Sequence, residues 1–459
     1  MRSSLAWLFF LAACSSTPEE ETEAGPPPGP AEWNREVTPP SDADAEQQRA
    51  ACGYQAGMLP AETQGASHPN GGDIPVDHIL IVMMENRSFD HYFQKLPEQG
   101  QPDADVAPAD FTNPDPDGQP VALFHDESYC FVDTAHGWDA SHEQVNDGAM
   151  DGFVLTNEGN HELPAHGTLE MLSGTRAMGY YDASDMPFYN FLANEFAIGD
   201  RYFASVRGPT WPNRMYLFAA TSFGLKSNDI AIADKTLIDY LDLRQVDWKL
   251  YHSTTATYGM FADKYVEQIK SGRIVLFDQY FADLAAGTLP QVAFVEPGVA
   301  REAYDANDEH PPAVMQIGQR WAAEVIDALM KSSSWERSAM FITYDEHGGL
   351  YDHVVPPPAC APDAASAEFD NLGIRVPFMV VSPYAKKHHV SHRVYDHTSI
   401  VRFVEARFVM PALTGRDANA EAPWDMFDFA NPPHVTPPAF ALPEVDADKL
   451  AACAAIFEP

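Results

Sequence analysis

Short apolar runs of strand length recur along this chain, at His78 to Met84, Trp248 to Tyr251, Gln291 to Val295, Met340 to Tyr344 and Val376 to Val381. They are too short for helices, and they are apolar at nearly every position rather than at alternate ones. That pattern predicts strands covered on both faces. Between two of them, Met315 to Met330 carries Ile317, Trp321, Val325, Ile326 and Leu329 on one face at helical spacing. Strands alternating with helices predict an α/β fold, a doubly wound and mainly parallel sheet with helices on both faces. The pattern runs from about Asp73 to about Phe408, and no internal repeat interrupts it.

Outside that span the pattern changes. Arg2, the apolar stretch Leu5 to Ala13 and the sequence Leu11-Ala12-Ala13-Cys14 predict a signal peptide over residues 1–13, cleaved before a cysteine that carries lipid. The plainer reading is an ordinary cleaved signal with an incidental cysteine. Residues 14–48 are rich in Pro, Glu, Ala and Asp, which predicts a disordered tether between the lipid anchor and a domain spanning 49–410. Residues 411–459 are Pro-rich and weakly periodic, as in a segment that wraps a finished domain. No other run reaches the length of a membrane span.

Composition narrows the function. The hydrophobic fraction is 45% and the aromatic fraction 12%, enough for a large core. A formal charge of −39 excludes nucleic acid as a partner, since that binding needs Lys and Arg against phosphates. Of five cysteines, Cys52, Cys130, Cys360 and Cys453 remain after processing. In an exported protein they predict two disulfides with three pairings open; buried free thiols are the alternative.

Chemistry concentrates where strands end. The run Ile79 to Met84 passes directly into Glu85-Asn86-Arg87-Ser88-Phe89-Asp90-His91-Tyr92-Phe93, and Met340 to Tyr344 into Asp345-Glu346-His347-Gly348-Gly349. In open α/β sheets ligands bind beyond the carboxyl ends of the strands. Hard oxygen donors there suit a divalent cation. A third element, Gly208-Pro209-Thr210-Trp211-Pro212-Asn213-Arg214, predicts a helix N-terminus, with Thr210 either a plain N-cap or a nucleophile beside free N–H groups.

These blocks together resemble the bacterial phosphoesterase family of phosphatidylcholine-type phospholipases C and acid phosphatases, within the alkaline-phosphatase-like superfamily. Further similar stretches are His136-Gly137-Trp138, Met150 to Phe153, Glu309-His310-Pro311-Pro312, Tyr351-Asp352-His353-Val354 and Tyr395 to Ser399. The resemblance implies an alkaline-phosphatase-like fold and one divalent metal ion, of unspecified identity, held by Glu85, Asn86, Thr210, Asp345 and Glu346. It implies Thr210 as nucleophile, where many acid phosphatases have serine, and His310 or His136 as proton donor. Arg87, Arg214, His353 and His397 are candidate phosphate or leaving-group contacts. His91 packs beside the motif, and His347 stands where Asn is common. Trp138, Trp211 and Phe153 are candidates for a choline cage, with core packing the alternative. The expectation is an exported, membrane-anchored lipoprotein, periplasmic or at the cell surface, that hydrolyses phosphate esters through a phosphothreonine. Phospholipids come first as substrates; small phosphomonoesters, as for an acid phosphatase, come second. A non-catalytic surface lipoprotein is the reading from a different class.

Overall fold

The computed structural model describes residues 28–254, 257–261, 264–298 and 303–458. Eight strands build the central sheet: β1 (His78–Met84), β2 (Ala197–Gly199), β3 (Trp248–His252), β4 (Ile274–Leu276), β5 (Val292–Glu296), β6 (Ser338–Tyr344), β7 (Phe378–Val381) and β8 (His389–Ser391). Their order across the sheet is β8-β2-β7-β6-β1-β5-β3-β4. Only β7 runs against its neighbours; the other pairings are parallel. The central strands β1 and β6 are buried almost throughout, which is why their sequences lack alternation.

All five predicted strands are present within a residue or two. Those missed, β2, β4 and β8, have three residues each and exist through pairing rather than pattern. The predicted helix spans Met315–Lys331, with Trp321, Val325, Ile326 and Leu329 buried as the periodicity requires and Ile317 partly so.

The terminal segments hold more structure than their composition suggests. Cys14 and the signal stretch lie outside the described residues, but the expected tether is packed from Pro28 onward. Trp33 is buried beneath the Arg244 guanidinium, and a helix spans Asp42–Ala50, capped by Ser41. At the other end a helix spans Ala447–Phe457. The four cysteines are paired, Cys52 with Cys360 and Cys130 with Cys453, across sequence separations of 308 and 323. Each disulfide fastens one terminal segment to the body of the domain, and the free-thiol alternative fails.

One buried carboxylate organises the ground behind the strand ends. Glu309 accepts hydrogen bonds from the hydroxyls of Tyr92, Tyr189 (2.6 Å) and Tyr344 (2.6 Å), while Arg87 Nε donates to its carbonyl at 2.9 Å. Its φ of +72° is uncommon for a side chain of this size, and these bonds offset that strain. Gly318 faces it from mid-helix, where an added Cβ would lie 2.2 Å from Glu309 Cγ. Burial pushes the Glu309 carboxyl up to about 7, with the tyrosine hydroxyls and Arg87 pulling the other way.

A carboxyl raised in the folded state binds its proton more tightly there than in the unfolded chain. Stability from this group is therefore full below the ordinary value of 4.5 and declines as pH rises to about 7. The decline amounts to about 3 kcal/mol at most. Glu309→Gln should lose this slope, so its stability deficit against the wild type should shrink between pH 5 and 7. Denaturant titrations at both pH values read the effect; a deficit independent of pH would contradict it.

Candidate active site

Register creates the site. Met84 pairs with Tyr344 at the parallel ends of β1 and β6, so Glu85 and Asp345 are each the first residue beyond the pair. Backbone bonds lock the two turns together: Asp345 N–H donates to Met84 O at 3.2 Å and Arg87 N–H to Glu346 O at 3.1 Å. The carboxylate of Asp345 accepts from the N–H groups of Asn86 (3.1 Å) and Glu346 (2.8 Å) through the same oxygen. Asn86 turns through φ +59°, a region asparagine tolerates better than most residues. Gly348 follows at φ +66°, with Asn86 O only 2.3 Å from where a Cβ would sit, so the close approach requires glycine. Its N–H donates to Glu346 at 2.7 Å.

The helix Thr210–Ala219 brings the third element to these strand ends. Asn213 sets its entry, accepting from Val206 N–H at 3.0 Å and donating to Gly208 O at 2.9 Å. Arg214 reaches Glu85 Oε1 at 3.2 Å and Asp345 Oδ2 at 3.4 Å, and it also donates to the carbonyls of Met83 and Met84. Thr210 precedes Arg214 by four residues and so shares its helix face. The N-cap is Pro209, and no side-chain bond caps this helix. Thr210 is its first residue, and among the described residues no hydrogen bond engages its hydroxyl.

Two histidines stand at the edge of the cluster. His136 Nδ1 donates to Thr134 O at 2.6 Å, which leaves Nε2 to meet Asn86 Nδ2 at 3.2 Å. That contact turns the Asn86 amide so that its oxygen points elsewhere. Glu346 Oε1 lies 3.8 Å from the same Nε2. His310 is anchored through Nδ1 to Pro311 O at 2.6 Å, and its Nε2 lies 3.9 Å from Asp133. The His136 and His310 rings are 5.7 Å apart.

Four expected substrate contacts have other employment. Arg87 is wholly buried, bound to Glu309 O and facing His91 and the Phe131 ring. Arg214 is held by the carboxylates and carbonyls named above. His397 bonds Asp345 O at 2.8 Å and Tyr202 at 3.0 Å, bracing the turn from behind. His353 sits on Asp90 at 2.6 Å, in a separate buried network with Asp352 and Arg375. Of the aromatic candidates, Phe153 is fully buried in a side core and cannot form a cage, and Trp211 packs against the main core. Trp138 lies beside Gly208 with Lys226 4.5 Å above its ring. His91 packs beside the motif as expected, and His347 bonds Gln144 at 2.7 Å. Asp133, missed in the sequence, was marked only by its place three residues before His136.

Negative charge is crowded here. Burial raises Glu85 well above its usual range, against Arg214 and with help from Asp345 and Asp308. Burial likewise brings Glu346 to about 8, opposed by His136. Burial works against a charged His136, yet Glu346 and Asp133 together lift it to about 9. Three buried oxygens have no hydrogen-bond partner: Asn86 Oδ1, Asp345 Oδ2 and Glu346 Oε1. Unpaired buried oxygens are costly, and all three belong to residues expected to hold a metal. Together with Glu85 they are hard donors that fit a divalent cation. Beside them Asp133, His136 and His310 bring one potential ligand atom each within 4.8 Å of one another. A cavity of about 580 Å³ lies elsewhere, lined by Arg49, Arg393, Arg416 and the Cys52–Cys360 disulfide, and includes none of these residues.

Known proteins share this arrangement of sequence. Non-specific phospholipase C1 of Arabidopsis thaliana is 32% identical over 423 residues, covering 84% of this chain and 76% of that protein. Phospholipase C B of Mycobacterium tuberculosis is 30% identical over 468 residues, covering 87% and 86%. Looser overlays link the chain to a protein in the alkaline phosphatase superfamily from Vibrio parahaemolyticus (TM-score 0.38, 8% identity, 85% and 79% covered). The lipoteichoic acid synthase LtaP from Listeria monocytogenes overlays similarly (TM-score 0.40, 8% identity, 83% and 82% covered). The fold class rests on the sheet itself rather than on these overlays. The model of the phosphoesterase family matches residues 76–411, the span that holds both strand-end clusters and the Thr210 helix, and the chain belongs to that family of hydrolases acting on phosphoric ester bonds.

Proposed function

We propose that this protein is an exported, metal-dependent phospholipase C that cleaves phosphatidylcholine-type phosphodiesters through a phosphothreonine at Thr210. The observation that carries the reading is the uncapped Thr210 hydroxyl, on the helix face whose next turn is bonded to Glu85 and Asp345. The names of the similar plant and mycobacterial proteins favour a diester over a monoester. Two disulfides suit an oxidising compartment. Attachment of lipid at Cys14 remains part of the proposal.

Glu85, Asn86, Thr210, Asp345 and Glu346 would hold the cation, which when bound lowers the pKa of a coordinated hydroxyl and draws charge from phosphoryl oxygens. Thr210 Oγ1, its proton given up to solvent, attacks phosphorus, forming its own P–O bond as the bond to the glycerol oxygen breaks. At the head of the helix the Thr210 N–H is a donor for the anionic phosphoryl group, while Trp211 N–H is taken by Asn228 and Pro212 has none. His310 Nε2 passes a proton to the departing alkoxide, then takes one from a water whose hydroxide displaces Thr210 Oγ1 from phosphorus; phosphocholine leaves and Thr210 Oγ1 regains its proton from solvent. His136, with Nδ1 donating to Thr134 O and an unprotonated Nε2 accepting from the Asn86 amide, keeps the amide oxygen presented.

Thr210→Val keeps the shape and deletes the hydroxyl. Turnover should fall about a thousandfold or more, with thermal stability little changed. Thr210→Ser should keep activity within about tenfold. A fully active Thr210→Val protein would end the covalent mechanism. Hydrolysis of phosphomonoesters alone, with phosphatidylcholine untouched, would replace the phospholipase reading by a phosphatase.

Cation binding has a readout apart from turnover. A divalent ion restored to chelator-stripped protein at a hundred times its Kd should stabilise the fold by about 2.7 kcal/mol. Thermal unfolding with and without the ion should show this increment in the wild type and lose most of it in Glu346→Gln. An equal increment in both proteins would move the ion to another site.

A further inference from the structure

We propose that two loops beside the active site form a docking surface for zwitterionic phospholipid bilayers, carried by Ile230 and Ile232 on one and Leu163 and Leu169 on the other. This rests on the phospholipase reading and names the surface on which that activity would take place. Ile232 and Leu169 face water to an unusual degree, at 88% and 78%, and Ile230 and Leu163 are exposed beside them in sequence. Each loop is tied to the site by its base. Asn228 accepts from Trp211 N–H at 2.8 Å, next to Thr210, and Lys226 lies over Trp138. Between the two isoleucines Ala231 is buried and donates to Met260 O at 2.8 Å, so both flanking side chains are turned outward from an anchored point.

The other loop is held by Arg176. Its guanidinium donates to the carbonyls of Asn160 and Ser173, near the two ends of the loop, and to Val132 and Asp133, just ahead of His136. Leu163 and Leu169 lie between those ends. One pair of exposed aliphatics thus stems from the Thr210 side of the site and the other from the His136 side.

Charge identifies the surface. Residues 158–172 contain Glu158, Glu162 and Glu170 with no Lys or Arg, and residues 226–236 balance two Lys with two Asp. Binding to anionic lipid relies on clustered Lys and Arg, which neither loop has. A phosphatidylcholine surface presents trimethylammonium groups outermost and tolerates such carboxylates. No helix among the described residues is long and apolar enough to cross a membrane. Shallow insertion of a few aliphatic side chains matches interfacial binding instead.

Ile232→Asp and Leu169→Asp, singly and together, test the surface, since both side chains are exposed and the fold should keep its Tm. In flotation with phosphatidylcholine vesicles each change should weaken binding about tenfold, and hydrolysis of vesicle lipid should follow. Hydrolysis of water-soluble p-nitrophenyl phosphorylcholine should stay within about twofold. Unchanged vesicle binding would overturn the proposal, as would equal loss on both substrates or a preference for phosphatidylserine vesicles. If vesicle binding depends on these residues while the wild type hydrolyses neither substrate, the docking surface stands and the phospholipase reading falls.

Discussion

Everything at the site depends on the in-register parallel pairing of β1 with β6. Because Met84 faces Tyr344, two acidic turns leave the sheet side by side, and four polar side chains are forced into one buried volume. Like charges so placed repel one another, and burial removes the water that would screen them. Arg214 supplies partial relief from the neighbouring helix, yet Asn86 Oδ1, Asp345 Oδ2 and Glu346 Oε1 accept no hydrogen bond. Such a cluster relieves its repulsion either by holding protons, as the raised Glu85 and Glu346 carboxyls do, or by taking up positive charge. The same repulsion that would destabilise a purely structural core underlies the proposal that the cluster takes a cation and, beyond it, a phosphoryl group.

Rigid support keeps the cluster from relaxing. Buried arginines at three places take carbonyls and carboxylates as partners: Arg87 on Glu309, Arg214 on the strand ends, Arg375 on Asp90 and Asp352. Breaking a buried pair leaves one charge alone, which costs far more than an exposed pair contributes. These networks therefore hold the turns after β1 and β6 with little freedom. The proposed attack would require that, because a hydroxyl displaced by about 1 Å from its phosphorus loses much of its advantage. The disulfides act at a larger scale, keeping both terminal segments against the domain.

Several side chains changed meaning between sequence and structure. Arg87, Arg214, His353 and His397 were candidate ligand contacts, with salt bridges the alternative for the two arginines. Each has hydrogen-bond or ion-pair partners inside the protein. Glu309 was seen only as part of the His310 stretch and Asp133 went unnoticed, since an acidic residue beside a histidine motif looks like any solvated turn. The helix Asp42–Ala50 was hidden by a polar, proline-rich context, and its place against the domain is secured by Arg49 on Thr63 O and the adjoining disulfide.

What the sequence determined by itself was the local and the periodic: five strands, the long helix, the strand-end acidic pairs and the proline-bracketed Thr210. Apolar runs of a given length leave few conformations that bury them, and glycine or asparagine marks the turns where the backbone goes left-handed. Which strands are neighbours, and in what register, is carried by no single segment. It follows from the packing of the whole chain, and so do the meeting of Glu85 with Asp345 across 260 positions, the pairing of the cysteines and the short strands β2, β4 and β8. Those features exist only where distant segments supply each other's hydrogen bonds and cover each other's apolar faces, so only the tertiary structure decides them.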